Sequence, residues 1–193
     1  MHYLIMTSSD DPENCVLKGA PKGMRFPHRP ADGVRMEDNY PSEPLDWHMA
    51  SFAGKKLLDY IGNLSNYPTV STRFRELLDA HASAEIEYLP VNIIDHKGKK
   101  VDGGYYIANI IGTVDCVDLA NSEYVSDPMY PDEFQFLSKL NLHLSKIPKE
   151  SNIFRIKENK TTIIVRSDLA EVIKDSKISG CVFHQLGEHG DFS

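Results

Sequence analysis

A chain of 193 residues with 41% hydrophobic and 25% charged side chains has the composition of a globular domain, able to bury about 70% of its unfolded surface. Nothing in it approaches the roughly 20 consecutive apolar residues of a helical membrane span, so no membrane association is expected. The net charge of −7 is gathered in one place: no Lys or Arg stands between Lys100 and Lys139, where Asp102, Asp115, Asp118, Glu123, Asp127, Asp132 and Glu133 all lie; this argues against nucleic acid as a direct ligand and suits a basic protein partner.

In chain order, residues 2–6 read as a short apolar strand. They run straight into Thr7-Ser8-Ser9-Asp10-Asp11, with neither a basic start nor a long apolar core, which predicts a cytoplasmic rather than a secreted protein. Cys15, Cys116 and Cys181, odd in number and far apart, imply no disulfide framework and agree with a reducing compartment. Residues 1–46 form an N-terminal strand and a Pro/Gly-rich arm expected to pack on the domain. Pro12, Pro21, Pro27, Pro30, Pro41 and Pro44 fall there. Proline lacks a backbone donor and fixes φ, so neither a long helix nor a central strand persists through that spacing. Arg25, Arg29 and Arg35 are balanced there by Asp32, Glu37 and Asp38 and read as solvated.

Residues 47–193 read as an α+β domain, mostly antiparallel sheet with a few short helices. Trp47 and Phe52, then Leu57, Leu58, Tyr60 and Ile61, bring the chain to a core, and residues 63–68 (NLSNYP) form a turn cluster. Ser71 or Thr72 caps a helix over 72–82 whose stripe is Phe74, Leu77 and Leu78. Residues 86–94 and 105–111 are strands joined by the turn-rich loop 95–104, an antiparallel hairpin. Both alternating sets of Tyr105 to Ile111 are mostly apolar, which places that strand inside a sheet. Phe136 to Leu144 alternates as a half-exposed strand, with Phe136, Leu140, Leu142 and Leu144 on one side. Residues 153–156 and 161–165 pair around the turn 157–160, Ser167 caps a second helix over 168–176, and 181–186 is a last strand. Setting Thr72 on Ser167 aligns Val70 with Val165, Phe74 with Leu169, Leu78 with Ile173 and Tyr88 with Phe183 without a gap. Any capped amphipathic helix before a strand repeats in this way, so the echo supports only similar packing roles for the two helices.

Chemistry-bearing constellations are sparse. Asp115 and Asp118 leave the buried strand either as caps and turn formers or as a carboxylate pair for general acid–base catalysis in a small hydrolase. Cys116, between two acids, is expected to have a raised thiol pKa and so to be a poor nucleophile. Cys181, His184 and His189 lack an evident fourth zinc ligand, and the first two point to opposite faces of a strand. No phosphate loop or nucleophile elbow is present, and no metal or cofactor is expected.

The series Val70-Ser71 plus helix, Tyr88-Leu89-Pro90-Val91, Tyr105-Tyr106-Ile107-Ala108-Asn109-Ile110, Val114-Asp115-Cys116-Val117-Asp118, Ile147-Pro148, Ile153-Phe154-Arg155-Ile156 and Val165-Arg166-Ser167-Asp168-Leu169 resembles the bacterial immunity-protein family numbered eleven. The resemblance spans about residues 47–186 and leaves the proline-rich arm outside it. It implies a non-enzymatic antidote that neutralises a cognate secreted toxin by forming a stoichiometric complex, and it carries over no catalytic residue. Inhibition by binding needs complementarity and a few buried anchors. The expected contacts to a basic toxin are therefore Glu123, Asp127, Asp132 and Glu133, with Tyr130 and Phe134 as apolar anchors; the competing interface is the N-terminal arm.

Overall fold

Residues 2–192 are described by a computed structural model and form twelve strands and three α-helices. In chain order these are β1 (Tyr3–Ser8), β2 (Val16–Leu17), α1 (His28–Ala31), β3 (Leu45–His48), β4 (Tyr60–Asn63), β5 (Thr69–Ser71), α2 (Thr72–His81), β6 (Ile86–Ile94), β7 (Tyr105–Ile110), β8 (Glu123–Ser126), β9 (Phe134–Lys139), β10 (Ile153–Arg155), β11 (Ile163–Arg166), α3 (Ser167–Asp175) and β12 (Cys181–Gln185). One sheet runs β2-β4-β5-β7-β6-β3, a second β10-β11-β1-β12, and β8 and β9 make a separate hairpin. The pairing is antiparallel except where the arm lays β2 on β4 and β3 on β6. This is the expected α+β architecture, with β7 interior between β5 and β6.

Alternation along the strands divides the apolar side chains among three cores. Val70, Ala108 and Ile110 from one sheet meet Leu4, Met6, Ile163 and Val165 from the other, together with Phe74 and Leu78 of α2 and Leu169 and Ile173 of α3. The opposite face of the larger sheet carries Ile61, Leu89, Val91, Ile93 and Ile107, and it is covered by Cys15, Leu17 and Met36 of the arm and by Trp47 and Met49 just after it. The opposite face of the smaller sheet carries Tyr3, Ile5, Phe154, Ile156 and Ile164, covered by Cys116, Val117, Leu137, Leu140, Ile147 and Phe192. The arm, read as irregular, thus contributes β2, α1 and β3. Trp47 is fully buried, and its indole N–H donates to the carbonyls of Lys18 and Gly19.

The echo in the sequence is a structural repeat. In the first sheet β7 lies between β5 and β6, pairing Ile107 with Thr69 and Leu89; in the second β1 lies between β11 and β12, pairing Ile5 with Ile164 and His184. The shift that sets Thr72 on Ser167 also sets Thr69 on Ile164 and Leu89 on His184, so one register serves both sheets. Hydrogen bonds outside the ladders repeat as well: Thr72 N–H donates to Gly104 O as Ser167 N–H does to His2 O, and Ile111 N–H to Glu85 O as Ser9 N–H does to Gly180 O. Each half therefore runs strand, long covering segment, hairpin, helix, strand. The first strand of each half is exchanged into the other's sheet, as in a domain swap carried out within one chain.

Two local expectations are corrected. Ser71 caps α2 as predicted, its hydroxyl accepting from Phe74 N–H. Ser167, however, is the first residue of α3 and makes no side-chain cap; its backbone N–H is already taken by His2. The strand expected over 136–144 is β9, which ends at Lys139, and its buried face is set by Leu137, while Phe136 is 41% exposed and Leu144 lies in a 3-10 turn. Register shifts in the β8–β9 ladder move the inward positions off the simple alternation.

Candidate partner-binding site

The covering segment of the second half places the acidic zone. Cys116, Val117, Leu137, Leu140 and Ile147 bury themselves against the smaller sheet. The β8–β9 hairpin projects from this base, its root fixed by Tyr124 stacked on Phe134 at 4.2 Å. Its tip, residues 127–133, is shaped by Asp127, whose Oδ1 accepts the N–H groups of Met129 at 2.7 Å and Tyr130 at 3.1 Å.

Folding brings cations back onto a zone that is base-free in sequence. Glu123 pairs with Lys139 at 3.6 Å and lies 3.7 Å from His189; Glu133 pairs with Lys160 at 2.6 Å; Asp115 pairs with Lys157 at 3.2 Å and Lys146 at 3.8 Å. Among the described residues no cation pairs with Asp127 or Asp132, so the uncompensated charge stands at the tip. Beside it are exposed apolar side chains: Val125, Phe136, Tyr130, and Met129 at 80% exposure. Of the six residues singled out by sequence, Asp127, Tyr130 and Asp132 share the free tip. Glu123 and Glu133 are engaged with cations, and Phe134 is half-buried in the hairpin root. Val125 and Phe136 are not legible as surface because apolar residues in a strand pattern read as core until the register is known, and Met129, in the turn between the strands, carries no sequence signal of its exposure.

Other groups with chemical potential are held in inert arrangements. Asp118 accepts from Asn121 Nδ2 at 2.8 Å, and this bond, outweighing slight desolvation and helped by His143, keeps its carboxyl below the usual range. Burial pushes the Cys116 thiol up to about 12, with the charges of Glu158 and Asp115 acting in the same direction. Among the described residues no cluster of His, Cys, Asp and Glu is arranged to hold a metal ion, and no helix is long and apolar enough to cross a membrane.

The model of an immunity protein family (Imm11) fits residues 3–188, which brings the arm inside the likeness that the motif series had confined to about 47–186. No curated protein matches the chain.

Proposed function

The chain belongs to the immunity protein family (Imm11), and from that premise we propose that it is a cytoplasmic, non-enzymatic antidote that binds a cognate basic toxin and neutralises it in a stoichiometric complex. The observation that carries this reading is the family match across nearly the whole chain. Three features support it. The uncompensated acids Asp127 and Asp132 stand beside exposed Met129 and Tyr130, the mixture of steering charge and apolar anchor that protein interfaces use. Asp118 is held below the usual carboxylate range and so is not poised as a proton donor, while Asp115 forms ion pairs with Lys157 and Lys146. The three cysteines are unpaired, which suits a reducing compartment.

The test is titration of the purified protein with the toxin encoded beside it, followed by toxicity in cells expressing both. A 1:1 complex and survival are expected, and Asp115→Asn with Asp118→Asn should leave both unchanged. Loss of protection by that double variant with binding intact would replace the antidote by the hydrolase.

A further inference from the structure

The internal repeat compares one position of the fold with itself. Val70 pairs with Tyr60 on β4 and its counterpart Val165 pairs with Ile153 on β10, so Gly62 and Arg155 are equivalent residues. Ser8 and Ile110 are equivalent by the same register. In the half that carries Arg155 the space between the sheets is closed. The guanidinium is fully buried and donates from Nε to Ile110 O at 2.9 Å, from Nη2 to Pro30 O at 2.9 Å, and from Nη1 to Ala31 O at 3.0 Å and to Lys160 O. A cage of four carbonyls holds the cation, with the charge of Asp32 acting on it as well.

In the other half the residue is glycine, so no guanidinium fills the space, and the Ser8 side chain is what a Cβ at Gly62 would meet. A cavity of about 530 Å³ opens there, bounded by Ser8, Gly62, Asn63, Tyr67 and Thr161, with Asp10 and Asp191 among its lining residues and neither Lys nor Arg. Its volume is that of a small-ligand site. Its lining includes oxygen-bearing residues, Ser8, Asn63, Thr161 and the acid Asp10, and it holds neither of the long cationic side chains. The cavity also adjoins the hairpin: Gly190 and Phe192 donate to the carbonyls of Ser138 and Leu137 on β9, and Asp191 and Phe192 line the cavity.

We propose that this cavity receives an arginine side chain of the bound toxin, which takes in trans the place that Arg155 fills in cis in the other half. The proposal rests on the antidote reading for the source of the arginine and on the repeat for the chemistry of the site. Arginine fits better than lysine because its planar fork of five N–H donors matches acceptors spread around a slot, as Arg155 shows.

The experiment uses N-acetyl-arginine amide as probe, with the citrulline and lysine amides beside it, and follows backbone amide shifts of the whole protein. Saturable shifts at Thr7, Ser8, Gly62 and Asn63 are expected with the arginine amide, and binding of the uncharged citrulline amide should be weaker by about tenfold or more. In Gly62→Arg combined with Ser8→Ala, the new side chain should occupy the cavity, abolish the titration and weaken toxin binding by at least about tenfold. The Ser8 change is needed because a Cβ at Gly62 would lie 2.9 Å from Ser8 Oγ. Should that variant not fold, Asp10→Asn on the exposed rim gives the same test, with binding of the arginine amide reduced several-fold. Absence of shifts at these amides, or equal binding of citrulline amide, would overturn the cavity's assignment. Toxin binding untouched by the filled cavity would overturn it too while leaving the antidote reading standing. A toxin that does not bind the unmodified protein would overturn the antidote reading instead, and the amide titration would still decide the cavity.

Discussion

Asp59 and Asn152 stand one residue before β4 and β10, and each reaches across to the loop that follows the other half's helix. Asp59 Oδ2 accepts from the backbone N–H and hydroxyl of Ser179, both at 2.9 Å, and the Ser179 hydroxyl accepts from Asp59 N–H. Asn152 Oδ1 accepts from the N–H and hydroxyl of Ser83 at 2.8 and 2.9 Å, and the Ser83 hydroxyl accepts from Asn152 N–H. Two copies of one clasp thus lock the halves whose first strands are exchanged. Only one of the copies is charged.

That difference predicts an asymmetry with pH. Burial disfavours the Asp59 carboxylate, but the bonds from Ser179 and Ser71 and the nearby Arg73 outweigh it and hold its pKa below the ordinary value. A depressed folded-state pKa gives stability that is present above the unfolded pKa of about 3.9 and is lost as pH falls through the lower folded value. Asp59→Ala is expected to cost about 2–3 kcal/mol at neutral pH, and Asn152→Ala about 2. In urea unfolding at pH 7 and pH 3, the Asp59 variant should lose less on acidification than the unmodified protein; an equal loss would remove the charged clasp from the account.

The arm's role is a matter of stability as well. Arg155→Met leaves the carbonyls of Ile110, Pro30, Ala31 and Lys160 without their donor, at a cost of about 3 kcal/mol or more. Trp47→Ala opens a cavity under β3, expected at about 3–5 kcal/mol. Gly33 has φ 68°, and a Cβ there would meet Ile110 O at 2.8 Å, so Gly33→Ala should destabilise through the same contact. Denaturant midpoints check all three, and midpoints unchanged in Gly33→Ala would place the arm off the sheet.

How much of this was legible in the residues depends on the range of the interaction. The helix at Thr72 and the interior strand at Tyr105 follow from local periodicity and capping, and both were readable. The echo of Thr72 and Ser167 was visible too, but strand exchange was not, because it depends on which strand β1 pairs with far along the chain, and no local pattern encodes that. The acidic zone illustrates the same limit. Its missing bases come from Lys139, Lys146, Lys157 and Lys160, at its end or beyond it in sequence and adjacent only in space. The arm's prolines correctly excluded long elements but hid that Cys15, Leu17 and Met36 join Trp47, which was readable as core, in covering the larger sheet.

Thiol reactivity offers an independent check of burial. Desolvation pushes the Cys15 thiol to about 11 and Cys116 to about 12, and raises Cys181 further, with Asp59 adding to it. At pH 8 all three should stay protonated in the folded state and react with a thiol reagent far more slowly than in denaturant, where three titrate. Rapid labelling of Cys116 in the native protein would contradict its burial and reopen a nucleophilic role.

The hairpin tip can be tested without disturbing the fold if the variants respect its geometry. Asp127 carries the turn through the N–H groups of Met129 and Tyr130, and Glu133 holds Lys160, so reversing either charge mixes electrostatics with structure. Phe134→Ala would undo the stack on Tyr124 and report hairpin stability instead. Asp132 and Tyr130 have no such duties: Asp132 is exposed, and the ring of Tyr130, whose residue is 61% exposed, stands outside the turn's bonds. Asp132→Lys should slow association with the toxin several-fold at low salt and little at high salt, because a rim charge steers encounter over a Debye length of about 10 Å at 0.1 M. Tyr130→Ala should speed dissociation by about tenfold, as expected when an anchor is lost. Kinetics by surface plasmon resonance at two salt concentrations, with circular dichroism to confirm the fold, separate the two effects. If neither rate changes in either variant, the toxin docks away from this hairpin.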